Sequence, residues 1–155
     1  MQNGFESYTR FTVFGFGWTN AFAADVDDFY GIEELEIVAG GCLKAMWTND
    51  VDAVRYNIYV RPDNIDVFHE DYLLGKFSNL TLSANYYGDP VITAKIRTEA
   101  DGVTLLQDTK MYYIGVRAEN AIGVEDNNTL VLNVRPLGTG QVYVFVNDRH
   151  ISLVT

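Results

Sequence analysis

Four stretches of the chain alternate apolar and polar residues with a period of two. Leu43, Ala45 and Trp47 share one side in CLKAMW, and Tyr56, Ile58 and Val60 do so in RYNIYVR. Ile114, Val116 and Ala118 repeat the pattern in MYYIGVRAEN, as do Leu130, Leu132 and Val134 in TLVLNVRP. Such a period marks strands with one face in a core and the other in water, which would point Tyr59 and Tyr113 outward. Turn chemistry separates the strands at Ala39-Gly40-Gly41, Thr48-Asn49-Asp50, Asp101-Gly102 and residues 120–128. No window carries a helical stripe, and DVDDFYGIEELEI has room for one helical turn at most. The pattern predicts an all-β chain folded as an antiparallel β-sandwich.

Both flanks depart from this pattern. Residues 1–30 hold nine of the 21 aromatic residues: Phe5, Tyr8, Phe11, Phe14, Phe16, Trp18, Phe22, Phe29 and Tyr30. That density exceeds what a solvated tail carries, so this part reads as an N-terminal assembly arm. Residues 31–136 form the sandwich. Residues 137–155 follow a Leu-Gly-Thr-Gly linker and read as an added C-terminal β-hairpin, Gln141–Val146 and His150–Val154, around Asn147-Asp148-Arg149. Its first strand is apolar on both faces, so both need cover from the arm or a neighbouring subunit. A signal peptide is rejected for the start: Glu6 offsets Arg10, and Gly15, Gly17, Thr19 and Asn20 interrupt the apolar run before Ala21-Phe22-Ala23.

The middle part resembles a fibronectin type III domain. Leu43 to Trp47 looks like that family's second strand with its core tryptophan, and Arg55 to Val60 like its third. In LLQDTKMYYIGVRAENAIG, Leu106 precedes Tyr112 by six residues and Val116 by ten. That spacing matches the family's tyrosine corner, where a buried ring returns its hydroxyl to the backbone and ties the sheets together. Trp47, Tyr56, Leu106, Tyr112 and Val116 are the expected structural core. Gln107-Asp108 stand where the family has a proline, and residues 65–100 exceed its compact linking strands, which leaves the strand order at the sheet edge open.

Composition narrows the chemistry. The chain has 155 residues, enough for one domain with extensions, and its formal net charge of −10 opposes both nucleic acid and anionic membrane. One cysteine, Cys42, excludes an internal disulfide and reads as an inert core thiol. His69, beside Glu70 and Asp71, and His150 read as structural. Gly15-Phe16-Gly17-Trp18-Thr19-Asn20 begins like a dinucleotide fingerprint but ends in asparagine with no helix to follow. Asp25, Asp27 and Glu36 fail the spacing of a calcium loop, since Phe29 takes position five. Glu125-Asp126-Asn127-Asn128, and Asn49-Asp50 with Asp52, read as solvated loop residues, with an irregular calcium site as the alternative. No cofactor, metal site or catalytic residue is expected.

Fibronectin-like domains occur in receptors, secreted glycosidases and tailed-phage particles. Taken with the flanks, the resemblance implies a non-catalytic structural component of a tailed-bacteriophage virion, in the capsid decoration, neck, tail or baseplate. Its partners would be copies of itself and other virion proteins, with at most weak glycan contact, and its place the virion assembled in host cytoplasm. Phe5, Tyr8, Phe11, Phe14, Phe16, Trp18, Phe22, Tyr143 and Phe145 would form the assembly interface, as an arm laid into a neighbour buries aromatics at about 25 cal/mol per Å². The alternative is a carbohydrate-binding module of a bacterial surface or secreted protein, stacking sugars on Tyr86, Tyr87 and Tyr113.

Overall fold

The computed structural model describes residues 25–84, 87–136, 141–146 and 149–154, the last two stretches by their backbone. Among the described residues ten strands form two antiparallel sheets, with almost no helix. The strands are β1 Glu34–Val38, β2 Cys42–Thr48, β3 Arg55–Arg61, β4 Leu73–Phe77 and β5 Thr81–Ala84. There follow β6 Pro90–Ile96, β7 Tyr112–Glu119, β8 Val131–Val134, β9 Gln141–Val146 and β10 Arg149–Val154. One sheet runs β10-β9-β1-β2-β6-β5 and the other β4-β3-β7-β8.

The alternating positions do become the core. Leu43, Ala45 and Trp47 from one sheet meet Tyr56, Ile58, Val60, Ile114, Val116 and Ala118 from the other, all buried. Trp47 is fully enclosed, its ring 5.3 Å from that of Tyr56 at 62°. Leu132 packs against this core and Val134 is inside it, but Leu130 is exposed because β8 begins only at Val131.

Three differences from the pattern have physical causes. Residues 34–38 form a strand: Leu35 and Ile37 face the core, while Glu36 pairs with Lys44 across the ladder at 2.9 Å. The long stretch 65–100 is accounted for by β4, β5 and β6, with β4 joining β3 and β5 crossing to the other sheet beside β6. Val26 and Phe29, placed by sequence in the arm, belong to the core, where Phe29 lies 5.4 Å from Tyr56. The sandwich therefore begins before residue 31.

Beyond β1 the sheet continues. Leu35 and Ile37 are in register with Phe145 and Tyr143 of β9, and β10 pairs along the far side of β9.

Candidate functional site

The densest polar chemistry sits on the outer face of the four-stranded sheet. Arg55, Asn57 and Tyr59 of β3 alternate with the core positions, as do Tyr113, Gly115, Arg117 and Glu119 of β7, so both sets face away from the core. The antiparallel register sets Arg55 opposite Glu119 and Asn57 opposite Arg117. Glu119 accepts from Arg55 Nε, from Lys76 Nζ at 2.6 Å and from Asn57 Nδ2 at 3.0 Å. Burial alone would raise its pKa, but these three donors outweigh burial and hold it down to about 2.

Two loops close over this face. Residues 62–72 bring Phe68 against the sheet, edge-on to Tyr59 at 4.9 Å and beneath the Arg117 guanidinium at 4.2 Å. Residues 120–130 bring Glu125, whose Oε2 accepts from Asn57 and, at 2.5 Å, from the Tyr59 hydroxyl. Burial first, and then the Glu125 hydrogen bond, push the Tyr59 pKa upward. Arg117 also donates to the Asn128 carbonyl through Nε and Nη2, at 3.1 and 3.0 Å. The arrangement fastens both loops to the strands.

Several readings from sequence change here. Tyr59 does not point into water: it is 5% exposed, because Phe68 and Glu125 cover the face that alternation assigns to solvent. Glu125 is only partly exposed and Asp126 is buried, so neither is a solvated loop carboxylate. Asp126 accepts from the Ala118 amide at 2.6 Å and the Asn128 amide at 2.7 Å, holding the loop against the end of β7. Burial raises its pKa against the pull of those donors. Glu34, at the start of β1, is buried as well, and burial raises its pKa.

The remaining candidates are scattered. Cys42 is buried, its thiol directed to the Leu43 carbonyl. His69 is exposed at the start of the short 3-10 helix Glu70–Tyr72, where Nδ1 accepts from the Asp71 amide at 3.1 Å. His150 lies on β10. Asp50 and Asp52 shape the turn after β2, with the Asp52 amide donating to Asp50 at 2.8 Å. Among the described residues no group of three potential ligands stands close enough to hold a metal ion. Tyr113 is partly exposed and Tyr87 exposed, while Tyr86 lies outside the described residues.

Of the expected interface, Phe5, Tyr8, Phe11, Phe14, Phe16, Trp18 and Phe22 lie outside the described residues, and Tyr143 and Phe145 occupy β9 beside β1. Trp47, Tyr56, Leu106, Tyr112 and Val116 are all buried in one cluster. The Tyr112 hydroxyl accepts from the Gln107 amide at 3.1 Å and donates to Glu99 at 2.9 Å, linking the start of β7 to the segment that leaves β6. The network around Glu119 was not foreseen. Its one signal in the sequence is opposite charge at Arg55 and Glu119, which becomes meaningful only once the register sets them face to face.

Among the described residues no helix is long and apolar enough to cross a membrane. Compared with protein-family models, with curated proteins and with solved structures, the chain gives no match to any.

Proposed function

We propose that this chain is a non-catalytic structural component of a tailed-bacteriophage particle, built on a fibronectin type III-like sandwich and assembling through its N-terminal arm and C-terminal hairpin. The observation that carries the reading is the extension of the sheet past the sandwich. β9, apolar at every position after Gln141, lies along β1 in antiparallel register from Glu34–Val146 to Ile37–Tyr143. A strand with two apolar faces needs cover on both, and the aromatic residues between Phe5 and Phe22 can supply it.

The family assignment is supported by the strand order β1-β2-β6 facing β4-β3-β7-β8. Trp47 in the core of β2 and the Tyr112 hydroxyl bonded back to Gln107 support it as well. The non-catalytic reading is supported by what the ionisable groups do. Glu119, Glu125 and Asp126 fasten loops to strands, and His69 caps a helical turn.

Deleting residues 1–24 tests the proposal. The truncated chain should keep the circular dichroism of a folded β protein and fail to enter particles. Normal incorporation of the truncated chain would refute the arm's role.

A further inference from the structure

The outer face of the six-stranded sheet is buried in places where alternation would leave it wet. In β2 the core takes Leu43, Ala45 and Trp47, so Cys42, Lys44 and Met46 point the other way. Glu34 of β1 and Val91 and Thr93 of β6 share that outer face, since the register sets Met46 beside Glu34 and Thr93, and Thr48 beside Val91. Yet Cys42 is 1% exposed, Val91 2%, Met46 6% and Glu34 8%, and the first three lie outside the core cluster. The Thr93 hydroxyl oxygen is enclosed too, with no hydrogen-bond partner among the described residues. The burial is local, for Thr48, Lys95 and all four residues of β5 are exposed.

Something in the chain therefore lies over β1, β2 and the start of β6. The strands packed against β1 and β2 sit beside them in the sheet or, like β8, across the core. β9 and β10 only continue the sheet edge to edge. What stands outside the described residues is 1–24, 85–86, 137–140, 147–148 and 155. The four shorter pieces offer Tyr86 and Leu137 as their only large apolar side chains. Residues 1–24 hold Phe5, Tyr8, Phe11, Phe14, Phe16, Trp18 and Phe22, and when extended they reach about 80 Å, enough to cross the sheet. The face suits them, because the sulfur atoms of Met46 and Cys42 are polarizable and methionine makes favourable contacts with aromatic rings.

We propose that residues 5–22 seat on this face of their own chain, laying aromatic side chains over Cys42, Met46 and Val91 and adding a third layer to the sandwich. The proposal rests on reading residues 1–24 as an arm, and it adds the arm's seat. A segment held by one side keeps its other side for contacts between copies.

Cys42, the lone cysteine, reports the cover directly. In the full chain its thiol should resist an aromatic disulfide reagent, and removing residues 1–24 should speed its reaction by about tenfold or more. Trp47 is the one tryptophan left in the truncated chain, so a buried-indole emission shows that the core is kept. A second measurement needs no truncation: the intact chain is made with a diazirine analogue of methionine and illuminated. Links from position 46 to residues 5–22 of the same copy are expected. The proposal is overturned if Cys42 stays protected in a folded truncated chain, or if position 46 links only to other residues or to another copy. Protected Cys42 together with lost entry into particles would end this inference and leave the arm's role in assembly standing. Reactive Cys42 in a truncated chain that still enters particles would keep the seat and end that role.

Discussion

The ring of Phe68 fills the space that a side chain at Gly115 would need. Gly115 faces outward in the middle of β7, a place where glycine ordinarily weakens a strand. Its lack of a Cβ lets the 62–72 loop seat on the sheet, with Tyr59 and Arg117 closing around the ring. Gly115→Ala should therefore destabilise the fold by about 1–3 kcal/mol through overpacking. In urea titrations Phe68→Ala combined with Gly115→Ala should cost less than the sum of the two single changes. Simple additivity would mean that the ring and the glycine do not meet.

Tyr112 links the start of β7 to both Gln107 and Glu99 through one hydroxyl. Tyr112→Phe keeps the buried ring and removes that link, so a loss of about 1–2 kcal/mol is expected in chemical denaturation. A silent substitution would show that the hydroxyl does not tie the corner.

Trp47 is enclosed by both sheets. Trp47→Ala leaves a large cavity and should cost about 3–5 kcal/mol. Calorimetry would then show a melting temperature lowered by roughly 6–20 °C, at about 2–4 °C per kcal/mol lost for a chain of this size. A shift of only a few degrees would mean that the ring is not an integral part of the core.

Glu119 sets an acid limit. Its carboxyl is held at about 2 against an ordinary 4.5, so the unfolded chain takes up this proton first as the pH falls. The stabilisation is complete above pH 4.5 and is lost between there and about pH 2, a difference of at most about 3 kcal/mol that solvent screening at the half-exposed Arg55 and Lys76 reduces. Asp126 and Glu34 act in the opposite sense: burial raises their folded pKa, so their ionisation costs stability as the pH rises through it. Glu119→Gln should lower stability at neutral pH and flatten the dependence of the urea midpoint across the acid range. An unchanged slope would assign the acid limit to other groups.

The core was legible because alternation at Leu43, Ala45 and Trp47, or at Ile114, Val116 and Ala118, needs nothing beyond the period of a strand. The place of Tyr112 was legible only through the resemblance of the Leu106, Tyr112 and Val116 spacing to the fibronectin type III pattern. β1 carries the same alternation, with Leu35 and Ile37 set between Glu34 and Glu36, but it is short and follows an acidic stretch, and a cross-strand lysine at Lys44 is what makes Glu36 acceptable there. Asp126 was misplaced because loop composition does not say which carboxylate folds back onto the Ala118 amide, and Tyr59 for a different reason. Alternation reports which face of a strand a residue occupies, whereas loops such as 62–72 and 120–130 decide whether that face meets water. Nothing local in the sequence says that Phe68 will find Gly115, a residue 47 positions later.

The most direct test of assembly through the arm is the solution mass of the full-length chain, measured by light scattering beside a version lacking residues 1–24. The truncation keeps Val26 and Phe29, which the core requires. The account predicts a defined multimer for the full chain and a folded protein of smaller mass once the arm is gone. A monodisperse full-length monomer, or a multimer unchanged by the truncation, would contradict it.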